Sequence, residues 1–213
     1  MKHSYYTYGE IKPYFRGFLH MISLFIFPIT LIPLFWYCDT IDKILSIFFY
    51  KLSIFMTLLF STLFHNFKWK LSTEKLFQSL DHASIVLVCF YCWSPISFIY
   101  LKNTYFLSIT FYSSIILYLY LAFISSKYKT ICYIYSASII MFYINTLIPS
   151  LTSFEIYNLI LIYSFYTLGL FTYHFKWFDF YPLIFGYHEV FHIFVIISFI
   201  LTYIVNISVI TRN

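Results

Sequence analysis

The chain has 213 residues, of which 62% are hydrophobic and only 10% charged. That balance, with a mean hydropathy of +0.82, excludes an ordinary soluble domain and places most of the chain in lipid. The net charge of +5 is accounted for by contact with anionic lipid heads, so no nucleic-acid partner is called for.

A membrane-spanning helix needs about 20 mostly apolar residues. Charged and polar clusters divide the chain into seven such windows, running approximately over 17–36, 44–64, 83–101, 105–125, 130–149, 155–174 and 188–208. They predict an all-α integral membrane protein, a single seven-helix domain over 1–213 with no room for a separate soluble domain. The first window is long and lacks a small-residue cleavage site before Trp36 and Asp39, so it reads as a retained helix rather than a signal peptide. The second ends Ser61-Thr62-Leu63-Phe64-His65, with Ser61 and His65 on one helix face. The third is preceded by Asp81-His82 and contains Cys89-x-x-Cys92. That CxxC lies mid-helix without a second pair, so these cysteines, like Cys38 and Cys132, are read as free thiols within the spans. Glu155 and Asp179 fall at span boundaries, where a solvated carboxylate needs no special explanation. His3 and His174 read as tail and loop residues.

Orientation follows from Lys and Arg. With the N-terminus in the cytoplasm, Lys2, Lys12, Arg16, Lys68, Lys70, Lys75, Lys127, Lys129 and Lys176 fall inside, against Lys43, Lys51, Lys102 and Arg212 outside. Nine against four supports an N-in, C-out topology, with a plasma or inner membrane as the expected location and an organellar membrane as the alternative.

The seventh window opens His188-Glu189-Val190-Phe191-His192, an HExxH sequence. Two histidines four residues apart are rotated by only about 40° and separated by roughly 6 Å along a helix, so both can reach one metal ion. The pair asks for a third ligand. On the N-in topology, the end of the second span, the start of the third and the start of the seventh share the cytoplasmic face, which brings His65 and Asp81 to the pair. Ionisable groups in a span are costly and by default face the bundle interior. His65, His188 and His192 have the three-imidazole composition of catalytic zinc, with a fourth position left for water whose pKa falls toward ~7. Asp81 is then placed to orient that water or an imidazole, or to move protons as a general base. Glu189 is rotated by about 100° from His188 and is free to face a neighbouring helix, a backbone donor or the interface. His20, after Arg16-Gly17, could cap a polar cluster, and His82 could offer a ligand beside Asp81, although both read more readily as structural.

Taken in order, Lys12-Pro13-Tyr14-Phe15-Arg16-Gly17-Phe18-Leu19-His20, Ser61-x-x-x-His65, Leu80-Asp81-His82-Ala83-Ser84-Ile85, Ser94-Pro95 and Phe185-Gly186-Tyr187-His188-Glu189-Val190-Phe191-His192 form a pattern running from about Glu10 into the last span. The pattern resembles the hemolysin III family, the bacterial-type branch of the progestin and adipoQ receptor proteins. The resemblance implies a seven-helix, N-in bundle holding zinc on His65, His188 and His192, with Asp81 and Ser61 beside the metal-bound water. The wider superfamily includes alkaline ceramidases and adiponectin receptors, which implies membrane lipids as partners and hydrolysis of a lipid amide such as ceramide, Asp81 passing a proton to the leaving amine. The family's Ser after Asp-His is displaced by one residue here, and its Thr-Pro stands as Ser94-Pro95. Two other readings stay open: a membrane-permeabilising or receptor-like protein with structural zinc, and an intramembrane metalloprotease with Glu189 as base. The latter resembles the site-2 proteases, whose Asn/Asp-Pro-Asp-Gly element has no counterpart in this chain.

Overall fold

The computed structural model describes residues 4–6, 11–13, 15–181 and 184–213. Lys2, His3, Glu10 and Tyr14, which entered the sequence reading, lie outside the described residues. Ahead of the helices, a two-residue antiparallel pair, β1 (Ser4–Tyr5) with β2 (Ile11–Lys12), forms a short N-terminal arm. Seven helices long and apolar enough to cross a membrane follow among the described residues: α1 Phe18–Trp36, α2 Ile41–Asn66, α3 Leu71–Leu101, α4 Thr104–Ile124, α5 Lys129–Ser150, α6 Ser153–Phe175 and α7 Tyr187–Arg212.

The predicted windows match these helices closely except at α3, which begins at Leu71 rather than 83. Its first turns carry Glu74, Lys75, Gln78 and Asp81, so an apolar window starts too late to find them. The helix is amphipathic there, not absent: Glu74 is buried at 1% exposure. Asp81 and His82 therefore lie inside a helix rather than at its mouth.

Burial separates an inner set of helices from an outer one. Within the apolar windows, 61% of α3, 50% of α2 and 44% of α7 are buried, against 11% of α1 and 22% of α4 and α6. The outer helices turn side chains such as Phe25, Ile32, Tyr112, Ile116, Phe142 and Ile160 outward, a surface that suits lipid and not water. α7 packs chiefly on α6, and α3 packs on α2, α4 and α5. Gly169 of α6 lets α7 approach, since a methyl group there would stand 3.3 Å from both Phe191 and Phe194.

Backbone groups released inside the bundle are caught by side chains, as an environment without water demands. Pro95 has no N–H to offer the Tyr91 carbonyl four residues earlier, and Ser94 Oγ donates to that carbonyl instead at 2.8 Å. One residue on, Asn206 Nδ2 of α7 donates to the Cys92 carbonyl at 3.1 Å. The four cysteines are free thiols, with Cys92 and Cys132 buried and Cys38 and Cys89 partly so.

Two charged residues differ from the sequence reading. Lys51 is not a flanking charge but lies well inside α2 at 5% exposure, donating to Thr30 Oγ1 at 2.7 Å with Tyr203 and Phe27 beneath its ammonium group. Glu155 is not solvated. It is fully buried, closes a capping box with Thr152 at the start of α6, accepts from Ser208 Oγ at 2.9 Å and pairs with Arg212 of α7 at 2.8 Å. The pairing is possible because the last turn of α7 and the first turn of α6 meet at the end of the bundle remote from His65. Thr152→Val with Glu155→Ala is expected to lower stability by about 2 kcal/mol through loss of the cap and of buried acceptors. Glu155→Gln, which keeps an acceptor and loses a pair whose Arg212 side chain is 41% exposed, is expected to cost less than about 1 kcal/mol. Thermal unfolding in detergent checks the order.

Candidate metal centre

The histidines named from sequence converge. One ring nitrogen from each of His65, His188 and His192 lies within 4.8 Å of the other two. His65 stands in the last turn of α2, and His188 and His192 occupy the first two turns of α7. The rings of His188 and His192 are 4.6 Å apart between centroids, and His65 is 5.2 Å from the former and 5.5 Å from the latter. His65 and His192 are buried, at 5% and 3% exposure, and His188 is partly so.

Two of the three rings take a hydrogen bond at Nδ1. His192 Nδ1 faces the Arg16 carbonyl at 3.0 Å. A carbonyl only accepts, so Nδ1 carries the proton and Nε2 keeps its lone pair. His65 Nδ1 meets the Tyr6 hydroxyl at 2.5 Å, and its Nε2 is buried with no hydrogen-bond partner among the described residues. A buried lone pair without a donor is costly, and a cation held between the rings would satisfy it. The donor set of three imidazoles with no thiolate suits zinc or a similar borderline ion.

Asp81 of α3 brings a carboxylate to the cluster, its Oδ2 3.9 Å from His65 Nε2. Ser61, one turn before His65, is buried; it lies within reach of Asp81 and bonds His20 Nδ1 at 3.0 Å. His82, adjacent to Asp81, does not join the three imidazoles; its backbone carbonyl accepts from Tyr133 of α5 at 2.9 Å.

Sequence reading placed His20 only as a possible cap of a polar cluster, and the structure puts it at the centre of one. It is 3% exposed, its ring centroid is 4.1 Å from that of His192, and its Nε2 has no partner among the described residues. The signal was a histidine one turn into an apolar helix, directly after Arg16-Gly17. A methyl group on Gly17 would collide with Asn66 of α2, and Asn66 Nδ2 donates to the Gly17 carbonyl at 3.0 Å. This close approach sets His20 and Arg16 against the end of α2.

Glu189 takes one of the roles left open for it. The residue is fully buried, accepts the Gly186 N–H at 2.6 Å and pairs with Arg16 Nε at 2.9 Å. Both carboxylate oxygens are thus spent on capping α7 and on a cation from the N-terminal arm. Tyr6, Lys12 and Arg16 of that arm all reach the cluster or its supports. Lys12 is buried against Glu74 at 3.5 Å; burial pushes its ammonium below the usual lysine range and Glu74 draws it partly back. Of these three, Tyr6 had no sequence signal at all, being one of 23 tyrosines.

No curated protein matches the chain. A protein-family model described as "Haemolysin-III related" matches residues 8–203, which includes every residue of the histidine cluster and all seven helices except the end of α7. With its membrane-length helices, the chain is a multi-pass integral membrane protein and belongs to the haemolysin-III related family.

Proposed function

We propose that the protein is a zinc-dependent hydrolase of a lipid amide such as ceramide, acting where α2 ends and α7 begins, the cytoplasmic face on an N-in topology. The observation that carries the reading is a set of three convergent imidazoles inside an apolar bundle with a carboxylate 3.9 Å from one of them. A structural zinc site is usually closed by four protein ligands, whereas three histidines are a catalytic set that leaves one position open. A bound zinc ion would supply an acidified water and polarise the amide carbonyl.

The chain's own residues then have distinct tasks. His65, His188 and His192 would hold the ion, and the Arg16 carbonyl fixes the tautomer of His192. Asp81 takes a proton as general base and returns it to the leaving amine, a task that needs a carboxylate within one small molecule of the reacting centre. Ser61, between Asp81 and His20, orients the Asp81 carboxylate. The lipid reaches the site from the bilayer, so the surrounding apolar helices exclude bulk water while substrate is bound.

The competing reading is a membrane-permeabilising or receptor-like protein with structural zinc, which the family's haemolysin description favours. The metalloprotease reading loses support from the burial of Glu189 and its two partners.

Four measurements separate these readings. Purified protein is expected to carry about one zinc per chain and to release a fatty acid from a ceramide-type amide. His65→Ala is expected to lose both the metal and turnover, while lysis of membranes that survives His65→Ala and His188→Ala would favour the permeabilising reading. Asp81→Asn is expected to keep zinc and lose about 100-fold or more in turnover; undiminished turnover would remove Asp81 from the chemistry. Glu189→Gln is expected to keep stoichiometric zinc and lower stability by about 3 kcal/mol, because Arg16 loses its buried counter-charge. Loss of turnover in that variant without loss of stability would instead point to Glu189 as a base.

A further inference from the structure

The N-terminal arm brings to the metal centre a side chain that no membrane helix supplies. Tyr6 is 3% exposed and its hydroxyl is 2.5 Å from His65 Nδ1. Its ring packs on Phe64 at 5.2 Å between centroids, with Lys12 Nζ 4.3 Å from the ring centre. Lys12 donates to the Phe67 carbonyl at 2.7 Å and the Phe64 carbonyl at 3.3 Å, at the end of α2, where unpaired carbonyls attract a cation. Arg16 also interacts with the Tyr6 hydroxyl. Tyr6 precedes residues 8–203, which match the family model, so its place beside His65 is a feature of this chain that the family match does not cover.

We propose that Tyr6 is a positioning residue of the metal centre: its phenol oxygen accepts the Nδ1–H of His65 and so fixes the tautomer whose Nε2 ligates the ion. The proposal rests on the three-histidine metal reading given above. A neutral imidazole carries one proton, on either nitrogen, and only the Nδ1–H form leaves Nε2 able to bind a metal. His65 Nε2 is buried with no hydrogen-bond partner among the described residues, as that tautomer requires. His192 is set in the same way by the Arg16 carbonyl. The arm thus orients one ligand on α2 and one on α7, through two residues ten positions apart in sequence. An acceptor on the outer nitrogen also makes the imidazole a stronger donor, and removing such a partner typically weakens metal binding by about 10- to 100-fold.

The test measures zinc affinity of the full chain in detergent, by competition with a chromophoric chelator, for wild type, Tyr6→Phe and Tyr6→Leu. Tyr6→Phe keeps the ring on Phe64 and removes only the hydroxyl; Tyr6→Leu removes both. The expected result is a loss of about 10- to 100-fold in zinc affinity in both variants, with the Tm of metal-free Tyr6→Phe within about 3 °C of wild type. Wild-type affinity in Tyr6→Phe with a loss only in Tyr6→Leu would overturn the proposal, since packing alone would then matter. A zinc loss in Tyr6→Phe accompanied by a larger fall in metal-free Tm would overturn it as well. Wild-type protein that binds no zinc would instead refute the three-histidine reading itself.

Discussion

The polar centre of this bundle depends on Arg16. Its guanidinium neutralises Glu189 at 2.9 Å, and its carbonyl receives the Nδ1 proton of His192 at 3.0 Å. Because Gly17 follows directly, the chain can lie against Asn66 at the end of α2, which carries His20 to the side of His192. An uncompensated carboxylate inside an apolar bundle costs several kcal/mol. The arm, α1, α2 and α7 are therefore held together by the need to partner charge where water is scarce, more than by shape alone.

That need organises both ends of the molecule differently. At the end remote from His65, the Glu155–Arg212 pair closes α6 onto α7 and is itself joined to the backbone of α6 by a capping box. Both Glu155 oxygens are used there, one by Ser208 and the other by the Thr152 N–H and Arg212. At the other end His20 Nε2 and His65 Nε2, with Thr62 Oγ1 nearby, are buried without hydrogen-bond partners among the described residues, the two nitrogens close to His192 and Asp81. A stabilising network would have used these nitrogens. Two imidazole nitrogens left over beside His192 are what a binding centre, rather than a structural knot, would leave.

Much of this was legible in sequence, for physical reasons that also explain the failures. Spans reveal themselves because roughly 20 apolar residues in a row have few other fates, and alternation of helix direction then puts His65 and the His188–His192 pair at one end. The start of α3 was missed because its buried face is polar: Glu74 is partnered by Lys12, a contact no hydropathy window registers. Glu155 was misjudged in the same way, its partner Arg212 lying 57 residues on. Glu189 could be assigned only once Arg16, 173 residues away, was seen to face it. Tyr6 had no signature, since a phenol that orients an imidazole is indistinguishable in sequence from one that anchors at a membrane interface.

Zinc K-edge X-ray absorption of the purified, full-length protein tests the central claim most directly, because it reports the atoms around the metal without assuming a substrate. Convergence of His65, His188 and His192 on one ion requires nitrogen or oxygen neighbours at about 2.0–2.1 Å, with the outer-shell scattering of three imidazoles. Sulfur at about 2.3 Å would place the metal on the cysteines of the spans instead and contradict the assignment, as would protein that retains the same spectrum after His192→Ala.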